Sequence, residues 1–218
     1  MPLKLPLPII YPITSGTTTS QTTPNDPQFA DILRLVQAAV DAEVTLFQIR
    51  EKSLPDGVLH ELTSRAVEIT RGSATRLIVN SRLEIAWDAG ADGAHLSFKS
   101  FMQKCGGAWT ERAPGVSENF LIGVSTHYVS EAEAASILGA DFVVFGPIFD
   151  TESKRAYGPP QGLSKLREVV GTVDDIPVIA IGGITLANVT DCFKAGVSGV
   201  AAIRLFNDAN TMTYTVKE

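Results

Sequence analysis

Gln48, Arg50 and Lys52 stand at every second position of "FQIREK", directly after an apolar run at residues 44–47. Alternate side chains of an extended strand share one face, so this spacing projects an amide and two cations together. Two neighbouring cations cost free energy unless an anion answers them, so the chemistry implied is anion binding. Other polar residues end apolar runs in the same way: Asn80 after "RLIV", His95 in "GAHLS", Ser125 and His127 in "IGVSTH", and Thr151, Ser153 and Lys154 in "GPIFDTESK". Gly182-Gly183 lies between an apolar run and a helix-like segment. It reads either as an anion site of open backbone N–H groups or as a plain tight turn. Arg204 follows the last apolar run and could complete such a site. Simpler readings stand beside these. Arg50 and Lys52 could pair with Glu51 or Glu84 as surface charges, and His95 could be a satisfied core histidine. His127, between a strand and a helix, favours function, whereas His60 falls mid-helix and reads as surface.

The elements that must position these residues alternate along the chain. Apolar, strand-like runs fall at residues 9–14, 44–49, 76–80, 93–97, 120–126, 141–146, 176–183 and 199–206. Helix-like spacing falls at 29–42, with Asp26 as cap and Pro27 at the first helical position, and at 56–70, 82–90, 130–140 with Ser130 as cap, 163–171 and 185–196. Residues 17–28 read as a polar loop, 99–119 as an irregular stretch and 206–218 as a short polar tail. Several strands are unbroken apolar runs, the pattern of parallel strands buried on both faces. Eight strands with intervening helices predict a single-domain (β/α)8 TIM barrel over residues 1–218, with an open doubly wound sheet as the alternative. In a barrel of this kind chemistry sits at the C-terminal strand ends, where most of these polar residues fall.

Composition narrows the partners. The 218 residues carry a net charge of −6, which argues against nucleic acid, whose phosphates need a basic footprint. No apolar run is long enough for a membrane span. Cys105 and Cys192 match no metal spacing and read as buried thiols, which suits a reducing cytoplasm. A homo-oligomer stays open.

Taken in order, "FQIREKS", "LIVNSR", "GAHLS", "IGVSTH", "FGPIFDTESK", "AIGGIT" and "GVAAIR" resemble the motifs of the thiamin phosphate synthase/TenI superfamily, over residues 9–205. The resemblance implies a TIM barrel acting on small phosphorylated substrates. Synthases of this family join a pyrimidine methyl diphosphate to a thiazole phosphate and release pyrophosphate. By this resemblance Gln48, Arg50, Lys52 and Asn80 hold the pyrimidine diphosphate, and His95, from its strand-end position, is a further substrate-binding candidate. Ser125 and Lys154 lie around the pyrophosphate and pyrimidine. Thr151 and Ser153 match thiazole-phosphate contacts and Gly183 the backbone phosphate site, beside which Gly182 and Arg204 stay candidates from their strand-end positions; Lys52, Ser125, His127 and Lys154 are the catalytic candidates. The chain also departs from the family. Ser81 and Ser100 stand where synthases carry the aspartates that bind Mg²⁺, leaving Glu84 as a guess for a ligand, and Ala201 and Arg204 replace serines. His127 matches the catalytic histidine of TenI-type thiazole tautomerases, which need no metal. The expectation is therefore a synthase using Mg²⁺, with a metal-free tautomerase as runner-up and a non-catalytic ligand-binding paralogue as a third reading.

Overall fold

The computed structural model describes residues 5–105, 119–151 and 159–217. The apolar runs form eight short strands: β1 (Ile9–Pro12), β2 (Leu46–Ile49), β3 (Arg76–Asn80), β4 (Gly93–Ser97), β5 (Leu121–Thr126), β6 (Phe142–Phe145), β7 (Val178–Ile181) and β8 (Gly199–Ala202). They make one sheet in the order β1-β8-β7-β6-β5-β4-β3-β2. Pairs β2–β3, β3–β4, β5–β6, β6–β7 and β7–β8 are parallel. A parallel bridge from Ile13 to Gln48 brings β1 back to β2. This strictly sequential order belongs to a (β/α)8 barrel. An open doubly wound sheet would reverse order at a switch point, so that alternative is set aside.

Helices follow the strands: α1 (Pro27–Asp41), α2 (Asp56–Thr70), α3 (Leu83–Asp88), α4 (Phe98–Cys105), α5 (Val129–Ile137), α6 (Gly162–Thr172), α7 (Val189–Lys194) and α8 (Met212–Lys217). Apolar residues on the inner stripe of α1, from Phe29 to Ala39, are buried, as the three-and-four spacing predicts. Pro27 opens this helix and Asp26 is its cap residue, but the Asp26 carboxylate makes no cap bond. It accepts instead from the Thr23 amide and hydroxyl, at 2.6 and 2.8 Å. Those bonds hold its carboxyl below the usual range.

Four expectations need correction. The stretch read as irregular begins with α4, and the segment read as a tail carries α8, whose Met212 is fully buried. The cap of α5 is Tyr128 rather than Ser130. Glu131 explains this: its carboxylate accepts the His127 backbone N–H at 2.7 Å and so starts the helix earlier. The last strand also stops at Ala202, and Arg204 falls in a 3₁₀ turn, Arg204–Phe206. Cys192 is buried, and burial pushes its thiol up to about 11.

The chain divides into two compact units, one of Ile10–His95 with Ile203–Glu218, the other of Met1–Ile9 with Leu96–Ala202.

Candidate active site

In the unit built on Ile10–His95, the strand carrying the cation motif ends at Ile49. Gln48 is therefore buried, Arg50 is half-buried just past the strand, and Lys52 is exposed in a turn. The Gln48 amide nitrogen donates to the Tyr11 hydroxyl at 2.6 Å. That hydroxyl lies 3.3 Å from His95 Nδ1. Burial, reinforced by the Arg50 charge, lowers the His95 pKa to about 4, so the ring is neutral at pH 7. The Tyr11 hydroxyl accepts from Gln48 and stands at hydrogen-bond distance from His95 Nδ1, whose role as donor or acceptor follows the ring's tautomer. Burial raises the Tyr11 pKa and keeps its proton in place. Gln48 and His95 are thus joined by a residue that sequence reasoning missed. Tyr11 lies in an apolar run and looks like core, which it also is.

Glu51 is the second residue missed. It is only 3% exposed although it stands between two cations in sequence. One carboxylate oxygen accepts the Gly16 N–H at 3.1 Å. The other accepts the Thr18 N–H at 3.2 Å and the Thr18 hydroxyl at 2.6 Å. The loop after β1 is tied to the motif a second time where the Arg50 N–H donates to Thr14 Oγ1 at 2.8 Å. The alternative in which Arg50 and Lys52 pair with Glu51 as surface charges is set aside, because Glu51 is buried and serves the loop.

Asn80 ends β3 and donates through Nδ2 to Ser81 Oγ at 2.9 Å. The Ser81 N–H donates to the His95 carbonyl at 2.8 Å. Ser81 has φ 64°, a left-handed conformation in which non-glycine residues are uncommon. Glu84 sits exposed in the first turn of α3, and Arg204 is exposed in its 3₁₀ turn.

In the unit built on Leu96–Ala202, Ser125 is half-buried near the end of β5 and His127 is exposed just beyond it. His127 Nδ1 lies 2.6 Å from the Gly146 carbonyl oxygen. A carbonyl can only accept, so Nδ1 carries a proton and donates it, and Nε2 is the ring nitrogen not used in this bond. Gly182 and Gly183 have φ of 98° and 67°, and a side chain at either would meet the segment after β6. A Gly182 Cβ would lie 2.5 Å from Pro147 Cα, and a Gly183 Cβ 2.6 Å from the Asp150 carbonyl oxygen. This tight-turn geometry alone requires both glycines. Asn188 secures the turn, donating to the Gly183 carbonyl and accepting from the Thr185 N–H, both at 2.9 Å. Thr151 is half-buried at the edge of the described segment, while Ser153 and Lys154 lie outside the described residues.

The donor set can be tested against Mg²⁺, which prefers hard oxygen ligands and near-ideal octahedral geometry. Ser81 offers a hydroxyl already bonded to Asn80. Ser100 lies in the first turn of α4, where its hydroxyl is 2.9 Å from Ser97 Oγ and its N–H donates to that same oxygen. Among the described residues no group of three or more His, Cys, Asp or Glu could hold a metal ion. These residues do not fit a carboxylate-bound Mg²⁺.

With this geometry in hand, comparison with known proteins is specific. The pattern of the family described as thiamine monophosphate synthase matches residues 18–206. A thiamine-phosphate synthase of Methanoculleus marisnigri is 44% identical over 79% of this chain and 77% of its own length. One of Bacillus velezensis is 33% identical over 83% of this chain and 79% of its own length. The structure of a thiamine phosphate pyrophosphorylase from Pyrococcus furiosus superposes with a TM-score of 0.71 at 25% identity, covering 96% of each chain. Both in sequence and in fold, the chain belongs to the thiamine monophosphate synthase family.

Proposed function

We propose that the protein couples a hydroxymethylpyrimidine diphosphate to a thiazole phosphate and releases pyrophosphate. The observation that carries this reading is Arg50, half-buried and fixed through its own backbone to Thr14, one strand-end away from the neutral Gln48–Tyr11–His95 chain. A fixed cation beside uncharged polar groups suits a substrate with an anionic tail and a neutral heterocyclic head. In the reaction the bond from the pyrimidine methylene carbon to the diphosphate oxygen breaks, and its electron pair leaves with the diphosphate. The thiazole nitrogen then supplies the pair for the new carbon–nitrogen bond. The protein's part is electrostatic: Arg50 and Lys52 stabilise the negative charge gathering on the leaving group. Asn80, Ser125, Thr151, Ser153, Lys154 and Gly183 are assigned to the two substrates by family resemblance, and Gly182 and Arg204 by their place at the strand ends. No step is assigned to Mg²⁺, because the carboxylates it would need at positions 81 and 100 are serines.

Incubation of the purified protein with both substrates tests the proposal through stoichiometric release of pyrophosphate and formation of the coupled product. Absence of turnover with and without Mg²⁺ would overturn it. A second reading, tautomerisation of a thiazole carboxylate phosphate, is favoured by His127. Its Nδ1 is committed to the Gly146 carbonyl, which leaves Nε2 as a base. Interconversion of the two thiazole tautomers, followed by NMR without metal, tests that reading.

A further inference from the structure

We infer that Glu51 is a positioning residue that sets the place of the Arg50 guanidinium through the loop after β1. The inference rests on the proposal that Arg50 binds diphosphate. A glutamate placed between an arginine and a lysine in sequence would be expected to neutralise them. Instead its carboxylate is buried and takes three hydrogen bonds from Gly16 and Thr18. Gly16 is then held against Arg50. The position a Gly16 Cβ would occupy lies 3.5 Å from the Arg50 carbonyl oxygen and 3.8 Å from Arg50 Nη1. Gly16 also has φ 75°, a conformation that suits glycine. The loop therefore forms one wall of the arginine's position, the bond from the Arg50 N–H to Thr14 fixes that arginine's backbone, and Glu51 fastens the wall. Hydrogen bonds to a carboxylate are stronger than neutral ones, and burial removes competing water. Loss of the clamp frees the loop and lets the guanidinium sample positions that do not meet the ligand.

Inorganic pyrophosphate serves as the probe, measured by titration calorimetry on the full chain. Amide hydrogen exchange over residues 14–22 is followed in parallel. E51Q keeps the side chain's size but presents an amide N–H₂ where a donor must be accepted. T18V removes one donor and leaves Glu51 in place, while T18S keeps that donor. The expected result is about tenfold weaker pyrophosphate binding in E51Q, with faster exchange at Gly16 and Thr18. T18V should fall between E51Q and the parent, and T18S should recover the affinity that T18V loses. Because T18V leaves the carboxylate intact, it answers even if E51Q does not fold. Faster loop exchange with unchanged affinity in E51Q or T18V would overturn the role, as would weaker binding without faster exchange. R50A separates the two claims. If R50A weakens binding while E51Q and T18V do not, Glu51 has no positioning role and the diphosphate reading stands. If R50A binds as the parent does, the diphosphate reading falls and this inference falls with it.

Discussion

Arg50 and Lys52 share a motif but not an environment, and their substitutions should differ. Arg50 is half-buried and fixed through its backbone, whereas Lys52 is exposed. A charge-assisted contact is worth roughly 1.5–3 kcal/mol, and solvent around an exposed cation screens it toward the low end. R50A should therefore weaken binding of the pyrimidine diphosphate more than K52A does, with both below the parent in calorimetry. Equal, unchanged affinities would remove the motif from the site. His95 makes a separate prediction about pH. Its pKa is lowered from 6.5 to about 4, first by burial and then by Arg50. Above pH 6.5 both folded and unfolded chains carry it neutral, and its contribution to stability is fully present. Between 6.5 and 4 the unfolded chain takes up a proton that the folded chain refuses, so stability falls as the pH falls, by roughly 1.4 kcal/mol per pH unit. Urea melts at pH 7.5 and 5.5 should show this loss in the parent and a flatter dependence in His95→Asn. These two residues also mark what the sequence could carry. The alternation of Gln48 and Arg50 is a local signal and was legible. The burial of Glu51 and the hydroxyl of Tyr11 that joins Gln48 to His95 arise from contacts 33 to 84 residues apart, which no local pattern records.

At the scale of elements, strong periodicity and clear punctuation were enough. Helix α2 and strands β3 and β4 fall at the expected residues because each is bounded by proline, glycine or a polar turn. Helices α4 and α8 escaped for opposite reasons. Helix α4 runs into a segment rich in glycine, and α8, "MTYTVK", is short, rich in β-branched residues and anchored by one buried side chain. That anchor makes α8 testable. Met212 is fully buried, so Met212→Ala should cost roughly 2–5 kcal/mol in a urea melt. A cost near zero would mean that α8 adds nothing to the fold. The glycine pair after β7 teaches a related lesson. The dipeptide announced a turn, but whether it also cradles phosphate depends on groups that a local pattern does not bring together.

For the whole molecule the open choice lies between two chemistries on one barrel. If it is a synthase, Ser81→Asp with Ser100→Asp should raise Mg²⁺-dependent coupling, and His127→Ala should change it little. Aspartate suits position 81, since the backbone there is left-handed and aspartate tolerates that region well. If it is a tautomerase, His127→Ala should slow isomerisation by about 10²–10⁴-fold, and the added carboxylates should hinder an anionic substrate. Both reactions measured on the parent and these variants decide between them. No turnover in either assay, by the parent or by any of these variants, would sink both assignments.

The division of the chain into units carries a consequence for its synthesis. Each unit draws on segments far apart in sequence: α8 packs against α1, and the Ile9 N–H donates to the Ser198 carbonyl at 2.9 Å. A ribosome delivers Ile9 and α1 early, and the Ser198 carbonyl and α8 that complete their surroundings come much later. Neither unit can therefore close until its late segment, around Ser198 for one and α8 for the other, has been made. Until then the nascent protein carries a first strand without its Ser198 partner and an α1 that packs on α2 but lacks α8, the interval in which a holding chaperone would have something to grip.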